Sequence, residues 1–143
     1  MSATAYQLVL QKSLAATPDR VFAALIDPSK LQRWMAPGAM DVAEAHCNPV
    51  VGGHYRIVMR NADGSHVATS GVYQEVVPNR RLVHTWQWDG SEEVTLVTIE
   101  LKPEGAGGTN LQLTHSRFAE QSTCDQHEQG WTSCLEKLLG LAD

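Results

Sequence analysis

The chain lacks an apolar run of about 18 residues, the length that a helix needs to cross a bilayer. Its first ten residues lack a basic stretch followed by an apolar one, so we expect no signal peptide. Basic residues are fewer than acidic ones, 11 against 16 among 143 residues, and the formal net charge is −5. This acidic balance argues against nucleic acid or an anionic membrane as a partner.

Cysteine is also scarce, with three residues at positions 47, 124 and 134. An odd number of cysteines without a secretion signal favours reduced thiols and a cytoplasmic location. On one helix the Cα atoms of Cys124 and Cys134 would lie about 15 Å apart, which is too far for a disulfide. We therefore expect free thiols.

The sequence lacks the motifs of several common catalytic sites. It has no paired-carboxylate motif and no serine nucleophile elbow, and its glycine-rich segment 105–108 does not open a helix. Cys124 and His127 form a single Cys-x-x-His pair, whereas zinc sites need three or four ligands. A Cys–His nucleophile is conceivable there, but packing is the favoured role for both. We predict no metal, no cofactor and no catalytic residue.

The strongest pattern is a helical one near the C-terminus. Apolar side chains recur there with the spacing of one helical face: Cys124, His127, Trp131, Cys134, Leu135, Leu138, Leu139 and Ala142. Gly130 interrupts this helix, where glycine costs about 1 kcal/mol relative to alanine. We interpret it as a point of close approach and favour packing against a strand over room kept for a ligand.

The remaining pattern predicts one α+β domain over residues 1–143. Thr17-Pro18-Asp19 and Asp27-Pro28 start two short helices, because a hydroxyl or carboxylate cap is followed by proline at the first helical position. Alternating segments predict strands at about 6–14, 40–47, 54–60, 66–77, 82–88, 94–102 and 110–118. Short turns between them indicate an antiparallel meander, and Gly52-Gly53 and Gly71 are places for the sheet to bend. Strict alternation puts Tyr73 and Glu75 on one strand face.

Six segments occur in an order that we know from one protein superfamily. They are ATPDRVFAAL at 16–25, LQRW at 31–34, VGGHYR at 51–56, GVYQEVVP at 71–78, RLVHTW at 81–86 and HEQGW at 127–131. The chain resembles the helix-grip superfamily, which includes START lipid-transfer domains, birch-pollen allergens and polyketide cyclases. More narrowly, it resembles proteins that share a domain with the activator of the ninety-kilodalton heat-shock chaperone ATPase.

The resemblance implies a helix-grip fold. In it, a curved antiparallel sheet of about six or seven strands surrounds a long C-terminal helix, two short helices follow the first strand, and a cavity lies between sheet and helix. The chain departs from the family pattern at Asn48-Pro49-Val50, where relatives carry Asp, any residue, Arg. The chaperone activators also have a second, N-terminal domain for chaperone binding, which is not in this sequence and argues against direct chaperone activation.

We favour a non-catalytic domain that binds a small apolar or amphipathic molecule. His84 and His115 are the expected polar anchors, since each alternates with apolar residues and imidazole titrates near neutrality. The predicted ligand-binding residues are His84, Trp86, Trp88, Ile99, Leu111, Leu113, His115, Trp131, Leu135 and Leu138.

Two alternatives stay open. An enzyme that resembles polyketide cyclases would need a cavity histidine with a hydrogen-bonded orienting partner and room for substrate. A protein-interaction module that resembles the chaperone activators would need an exposed apolar patch above a few hundred Å². A homodimer through a strand edge or a helix is also left open by the sequence.

Overall fold

The computed structural model describes residues 5–142, with side chains to residue 140. In chain order the elements are β1 (Tyr6–Leu14), α1 (Pro18–Ile26), α2 (Pro28–Trp34), β2 (Asp41–Cys47), β3 (His54–Arg60), β4 (His66–Val77), β5 (Arg81–Trp88), β6 (Thr95–Glu104), β7 (Gly108–Phe118) and α3 (Gln121–Ala142). The predicted fold class is confirmed: two short helices follow the first strand, and one long helix follows the last.

The seven strands form one antiparallel sheet in the order β1-β7-β6-β5-β4-β3-β2. Consecutive strands from β2 to β7 pair as hairpins, as the short turns predicted. β1 pairs with β7, and Leu8 stands opposite His115. The two short helices therefore carry the chain from one edge of the sheet to the other.

The two helix starts use different chemistry. Asp27 caps α2 as predicted, because its Oδ1 accepts hydrogen bonds from the backbone N–H and the hydroxyl of Ser29 at 3.0 and 2.8 Å. Thr17 occupies the N-cap position of α1 without a side-chain cap bond. The start of α1 therefore depends more on the proline at the first helical position. The indole N–H of Trp34 donates to Ala24 O at 2.9 Å and joins α2 to α1.

A register shift in β4 overturns the strict alternation expected there. The shift lies between Tyr73 and Glu75, so Tyr73 points into the core with 3% exposure. Glu75 is on the outer face, where its carboxylate accepts a hydrogen bond from Arg81 at 3.0 Å. An inserted residue in one strand reverses the facing of every side chain after it.

The core lies between the inner face of the sheet and one side of α3. The buried α3 residues are those of the predicted stripe: Cys124, Trp131, Cys134, Leu135 and Leu138. His127 and Leu139 are half-buried, and the side chain of Ala142 lies outside the described residues. The predicted helical face is thus the face that packs on the sheet.

Gly71 is required where β4 passes the ring of Tyr55. A Cβ at this position would lie 2.0 Å from Thr85 O and 2.7 Å from Tyr55 Cε1. The bare backbone lets the Tyr55 hydroxyl reach Thr85 O, to which it donates at 2.6 Å.

We expect Gly71→Ala to destabilise the fold by about 3 kcal/mol, because backbone and a buried ring must move to admit the methyl group. The free energy of unfolding, measured in urea, checks this. Ser70→Ala, one residue earlier in the same strand, is the control and should change stability by less than about 0.5 kcal/mol. Equal stability of the two variants would contradict the close approach.

Candidate ligand-binding cavity

An open cavity lies between the sheet, α3 and the loop that follows α2. Its volume is about 370 Å³, near the lower end of the range of about 300–1,000 Å³ that is typical of small-molecule sites. The described residues that line it are Met35, Pro37, Met59, Trp86, Trp88, Thr123, Gln126, His127, Gly130, Trp131 and Cys134. No carboxylate, ammonium or guanidinium group is among them, so a charged ligand would lose its hydration without gaining a counter-ion of that kind.

Three of the ten predicted ligand-binding residues line this cavity: Trp86, Trp88 and Trp131. Five others are core residues with at most 2% exposure: Ile99, Leu111, Leu113, Leu135 and Leu138. These aliphatic side chains fill the interior against one another. The open space therefore lies beside the segment of α3 from Thr123 to Cys134.

The two predicted histidine anchors lie away from the open space. His115 is fully buried and is separated from the cavity by the ring of Trp131, which donates its indole N–H to the His115 ring. His84 borders a second void of about 10 Å³, which has room for about one water molecule. Each histidine therefore contacts the wall of the cavity rather than its interior.

Sequence reasoning missed eight of the lining residues. His127 and Cys134 belong to the helical stripe that contains Trp131, so the helical period did contain a signal for them, and Gly130 directly precedes Trp131. The others required the tertiary structure: Met35, Pro37, Met59, Thr123 and Gln126. Met35 and Pro37 come from the loop after α2, which no local pattern places beside α3.

The expectation that Gly130 packs closely against a strand is wrong. A Cβ built at Gly130 would meet only Pro37, whose Cβ and Cγ lie 3.9 and 4.0 Å away. These are ordinary van der Waals distances to a loop residue, and the rest of the space is the cavity. The helix interior therefore carries a glycine where a side chain would occupy the open volume.

A buried chain of hydrogen bonds runs from α3 to the sheet through His115. The indole N–H of Trp131 donates to His115 Nδ1 at 2.9 Å. His115 Nε2 is therefore the protonated nitrogen, and it lies 2.7 Å from Thr95 Oγ1. The Thr95 hydroxyl donates to Trp86 O at 3.2 Å. This chain sets one neutral tautomer of His115 and holds the Trp131 ring as a wall of the cavity.

His127 is held on both sides at the cavity wall. Its Nδ1 lies 2.8 Å from Thr123 O, one helical turn earlier, which identifies Nδ1 as the donor. Its Nε2 accepts the indole N–H of Trp88 at 2.9 Å. The ring thus has an orienting partner, and its acceptor nitrogen is occupied by the tryptophan.

Aromatic rings form a continuous cluster around Trp86. Its ring centroid lies 5.2 Å from that of Trp131, 5.4 Å from His115, 5.5 Å from Trp88 and 6.3 Å from His127. Tilted and edge-to-face contacts of this kind each contribute about 0.5–1.5 kcal/mol beyond area burial. The ring centroid of His84 lies 6.4 Å away as well, so five tryptophan and histidine rings surround this one ring.

The Trp86 indole N–H has no hydrogen-bond partner within the described part of the chain. Among the side chains that the structure describes, Trp86 Nε1 is the one buried nitrogen or oxygen without a hydrogen bond. An unpaired buried donor costs about 1–3 kcal/mol. The ring that carries it is 4% exposed and belongs to the cavity wall.

The thiols of α3 are unsuited to nucleophilic chemistry. Burial raises the pKa of the Cys124 thiol, and the nearby carboxylates of Asp125 and Glu128 raise it further. Burial likewise raises the pKa of Cys134 to about 12. Because the thiolate is the reactive form, both cysteines are inert at neutral pH.

The loop after α2 is fastened to α3 beside the cavity. The backbone N–H of Gly38 donates to Ser133 Oγ at 2.7 Å. The Lys137 ammonium donates to Ala36 O at 2.5 Å and lies 3.5 Å from Met40 O. These contacts hold Pro37 opposite Gly130 at one side of the opening.

A second groove of similar size lies at the ends of β3, β4 and β5. Its volume is about 360 Å³, and Arg56, Val67, Trp88 and Asp89 are among its lining residues. Its charges are paired with each other, since Arg56 binds the Asp89 carboxylate through two hydrogen bonds at 3.0 and 2.7 Å. Both side chains are about half exposed, so a ligand in this groove would remain largely in contact with water.

Other kinds of site find no support in the part of the chain that the structure describes. No group of three or more metal-ligating side chains comes together there. Across the same residues, no helix combines the length and apolar character needed to span a bilayer.

Comparison with known proteins points to one family. A family model described as "Activator of Hsp90 ATPase homolog 1-like protein" matches residues 15–143. The crystal structure of CV1439 from Chromobacterium violaceum is 27% identical, with a TM-score of 0.85, and the match covers 95% of this chain and 96% of that one. The AHSA1 protein SPO3351 from Silicibacter pomeroyi is 28% identical, with a TM-score of 0.85 over 94% and 96% of the two chains.

A third solved structure is more distant. CalU16 from Micromonospora echinospora is 25% identical, with a TM-score of 0.72, and the match covers 94% of this chain and 74% of that one. No curated protein is significantly similar in sequence. The structural matches agree in the sheet and helix arrangement over nearly the whole chain.

The buried histidines should make stability depend on pH. Desolvation, followed by the proximity of His127 and His84, lowers the pKa of His115 to about 2. Desolvation also lowers the pKa of His84 to about 4, against a smaller opposing effect of its backbone hydrogen bond. Below about pH 6.5 the unfolded chain therefore binds more protons than the folded chain, and the difference approaches two protons near pH 5.

We expect the free energy of unfolding to be highest above about pH 7 and to fall by about 3 kcal/mol between pH 7 and pH 5. The fall is expected because each histidine contributes up to about 1.4 kcal/mol per pH unit. Urea unfolding at several pH values measures this. His115→Gln should lower the slope to about half, whereas His66→Gln, at an exposed position, should leave it unchanged. An unaltered slope in His115→Gln would count against a neutral buried imidazole.

Proposed function

Since this chain belongs to the family of activator of Hsp90 ATPase homolog 1-like proteins, we propose that it is a binding domain for a small hydrophobic molecule. The ligand occupies the cavity between the sheet and the first half of α3. One observation carries the proposal: an open space of about 370 Å³ whose described wall is mostly apolar and holds no carboxylate, ammonium or guanidinium group.

The energetics of such a site favour micromolar binding. Burying about 300 Å² of apolar ligand surface contributes about 7 kcal/mol at 25 cal/mol per Å². That value corresponds to a dissociation constant of several micromolar before the costs of immobilising the ligand are subtracted. Shape and the few polar contacts therefore decide which ligand is held.

Gly130 supports the proposal because it keeps the site open at a cost to the helix. Alanine at an interior helical position is more stable than glycine by about 1 kcal/mol. The Cβ position at Gly130 has only Pro37 within 4 Å, so packing alone does not require glycine. The residue that the helix would prefer is absent at the place where a side chain would enter the ligand volume.

A proton-transfer enzyme that resembles the polyketide cyclases is a second candidate, and His127 favours it. The imidazole lines the cavity and is oriented by Thr123 O at 2.8 Å. A general base needs a free acceptor nitrogen, and Nε2 accepts from Trp88 instead. Catalysis would therefore require Trp88, which is half-buried, to turn away when substrate binds.

The enzyme candidate is tested with a carbon acid that fits the cavity. Deuterium exchange at the α-carbon of 1-tetralone, followed by NMR in D₂O, should be accelerated by the parent protein and not by His127→Gln. If the parent gives no acceleration over buffer, the catalytic candidate is rejected and the binding domain stands.

A chaperone- or protein-interaction role has weaker support. Among the residues whose side chains are described, the exposed large apolar ones are valines on separate strands and loops: Val9, Val50, Val51, Val67, Val77 and Val94. Val9 lies on β1 at one edge of the sheet, whereas Val50 and Val51 lie between β2 and β3 at the other edge, so these side chains do not form the single contiguous patch of a docking surface. A homodimer has no specific observation in its favour.

Filling the cavity should abolish binding. We expect the neutral dye prodan to bind the parent protein with a micromolar dissociation constant and a blue-shifted emission. Gly130→Leu should weaken binding at least tenfold, because its side chain enters the ligand volume. Gly140→Leu is the matched control on the same helix, at an exposed position with nothing within 4 Å of its Cβ, and should bind as the parent does. Equal binding by both variants would place the dye elsewhere.

A further inference from the structure

We propose that the ligand site continues past Met35 to His84, and that the ligand is an elongated neutral molecule whose inner end carries a hydroxyl group that donates to the His84 imidazole. The inference rests on the proposed binding function and specifies the ligand class of the same cavity. It starts from two spaces in the interior: the open cavity of about 370 Å³ and the void of about 10 Å³ at His84. Met35 lines both of them.

The two spaces are neighbours along the same strands. The open cavity is lined by Met59 of β3 and Trp86 of β5, and the void is lined by Ile57 and His84, two residues earlier on those strands. Residues two apart on a strand face the same side of the sheet, about 7 Å from each other. The ring centroids of His84 and Trp86 are accordingly 6.4 Å apart. Met35 therefore separates two adjoining parts of one sheet face.

Met35 is a partition that can move. It stands at the C-terminal end of α2 and is 5% exposed, so its side chain lies inside the core. Methionine is unbranched, and its three rotatable side-chain bonds let it adapt to irregular gaps. A ligand that turns this side chain aside joins the cavity to the void without moving a strand.

His84 provides an acceptor at the inner end. Its Nδ1 lies 3.0 Å from Thr85 O, which identifies Nδ1 as the donor and leaves Nε2 as the acceptor of the neutral ring. The nearby tyrosine hydroxyls are engaged elsewhere. That of Tyr55 donates to Thr85 O at 2.6 Å, and that of Tyr73 faces the Cys47 thiol.

This acceptor nitrogen can be reached once Met35 has moved. In the described part of the chain no donor is bound to His84 Nε2, and the unpaired indole N–H of Trp86 does not donate to it. Trp86 Nε1 is also the one side-chain nitrogen or oxygen there that is both enclosed and unpaired. His84 Nε2 therefore keeps accessible surface, and the void is the space that this ring borders.

The chemistry of the inner end follows from this acceptor. Desolvation lowers the pKa of His84 to about 4, so the ring is neutral at pH 7 and Nε2 carries a lone pair. A hydroxyl group can donate to it, whereas a ketone or carboxylate oxygen offers only lone pairs. Toward the opening, Trp86, Trp88 and Trp131 provide contacts for the apolar body of the ligand.

The test compares a long and a short pair of probes, each with a hydroxyl group or a methyl group of similar size. The long pair is trans-4-hydroxystilbene and trans-4-methylstilbene, and the short pair is 2-naphthol and 2-methylnaphthalene. Their dissociation constants are measured by displacement of prodan from the parent protein, His84→Phe and Met35→Ala. His84→Phe keeps an aromatic ring and removes the acceptor, whereas Met35→Ala removes the partition.

We expect the hydroxyl-to-methyl affinity ratio of the stilbenes to be about five- to tenfold higher in the parent than in His84→Phe, as for one buried hydrogen bond. The ratio of the naphthalenes, which do not pass Met35, should be equal in the two proteins. Met35→Ala should raise the affinity for stilbenes relative to naphthalenes by about fivefold, because nothing has to be turned aside.

An unchanged stilbene ratio in His84→Phe would overturn the inference and leave the proposed function intact. Binding of the naphthalenes but of neither stilbene to the parent would also overturn it. If neither prodan nor any of the four probes binds the parent, the proposed function fails and the inference fails with it.

A second measurement keeps the proposal testable if His84→Phe does not fold. The Nε2 resonance of His84 is followed by NMR on the ¹⁵N-labelled parent protein during titration with each stilbene. An unprotonated imidazole nitrogen moves to lower frequency when it accepts a hydrogen bond, so hydroxystilbene should shift this resonance and methylstilbene should change it little. Equal shifts with both probes would show that the hydroxyl group does not reach the ring.

Discussion

The hydrogen-bond chain through His115 holds the long helix to the sheet and is the constraint on which the site depends. Trp131 on α3 donates to His115 on β7, and Thr95 connects that imidazole to the backbone of β5. Each group is buried, so removal of one leaves another unpaired at a cost of about 1–3 kcal/mol. The arrangement fixes the position of Trp131, and it requires a neutral imidazole, which couples the helix to pH.

The cavity stays open because the rings around it cannot collapse into it. Trp131 is tied to His115 and Trp88 to His127, so neither indole is free to swing into the space. On the opposite side, Ser133 holds the loop at Gly38, and Gly130 contributes no side chain. Polar contacts thus preserve a space that apolar packing alone would fill, and aliphatic residues close the interior elsewhere.

Most of the fold was predictable, because the patterns that define it are local. The bounds predicted for β1, β3 and β4 are those observed, since turn residues and two-residue alternation mark strands without reference to their neighbours. The bulge after Tyr73 was missed because an inserted residue leaves no mark in composition. The candidate site was predictable only in part: the tryptophans of β5 and α3 were found, whereas Met35 and Pro37 reach the cavity from a distant loop.

By itself the sequence determined the element order, the antiparallel pairing and the face of α3 that is buried, because periodicity and turn chemistry act over a few residues. Only the tertiary structure decided where the interior is filled and where it is open. Leu135 belongs to the filled part and His127 to the open part, although both belong to the same helical stripe. That division depends on how side chains from separate strands, a helix and a loop pack against one another. Such packing is set by the tertiary structure and not by any local pattern.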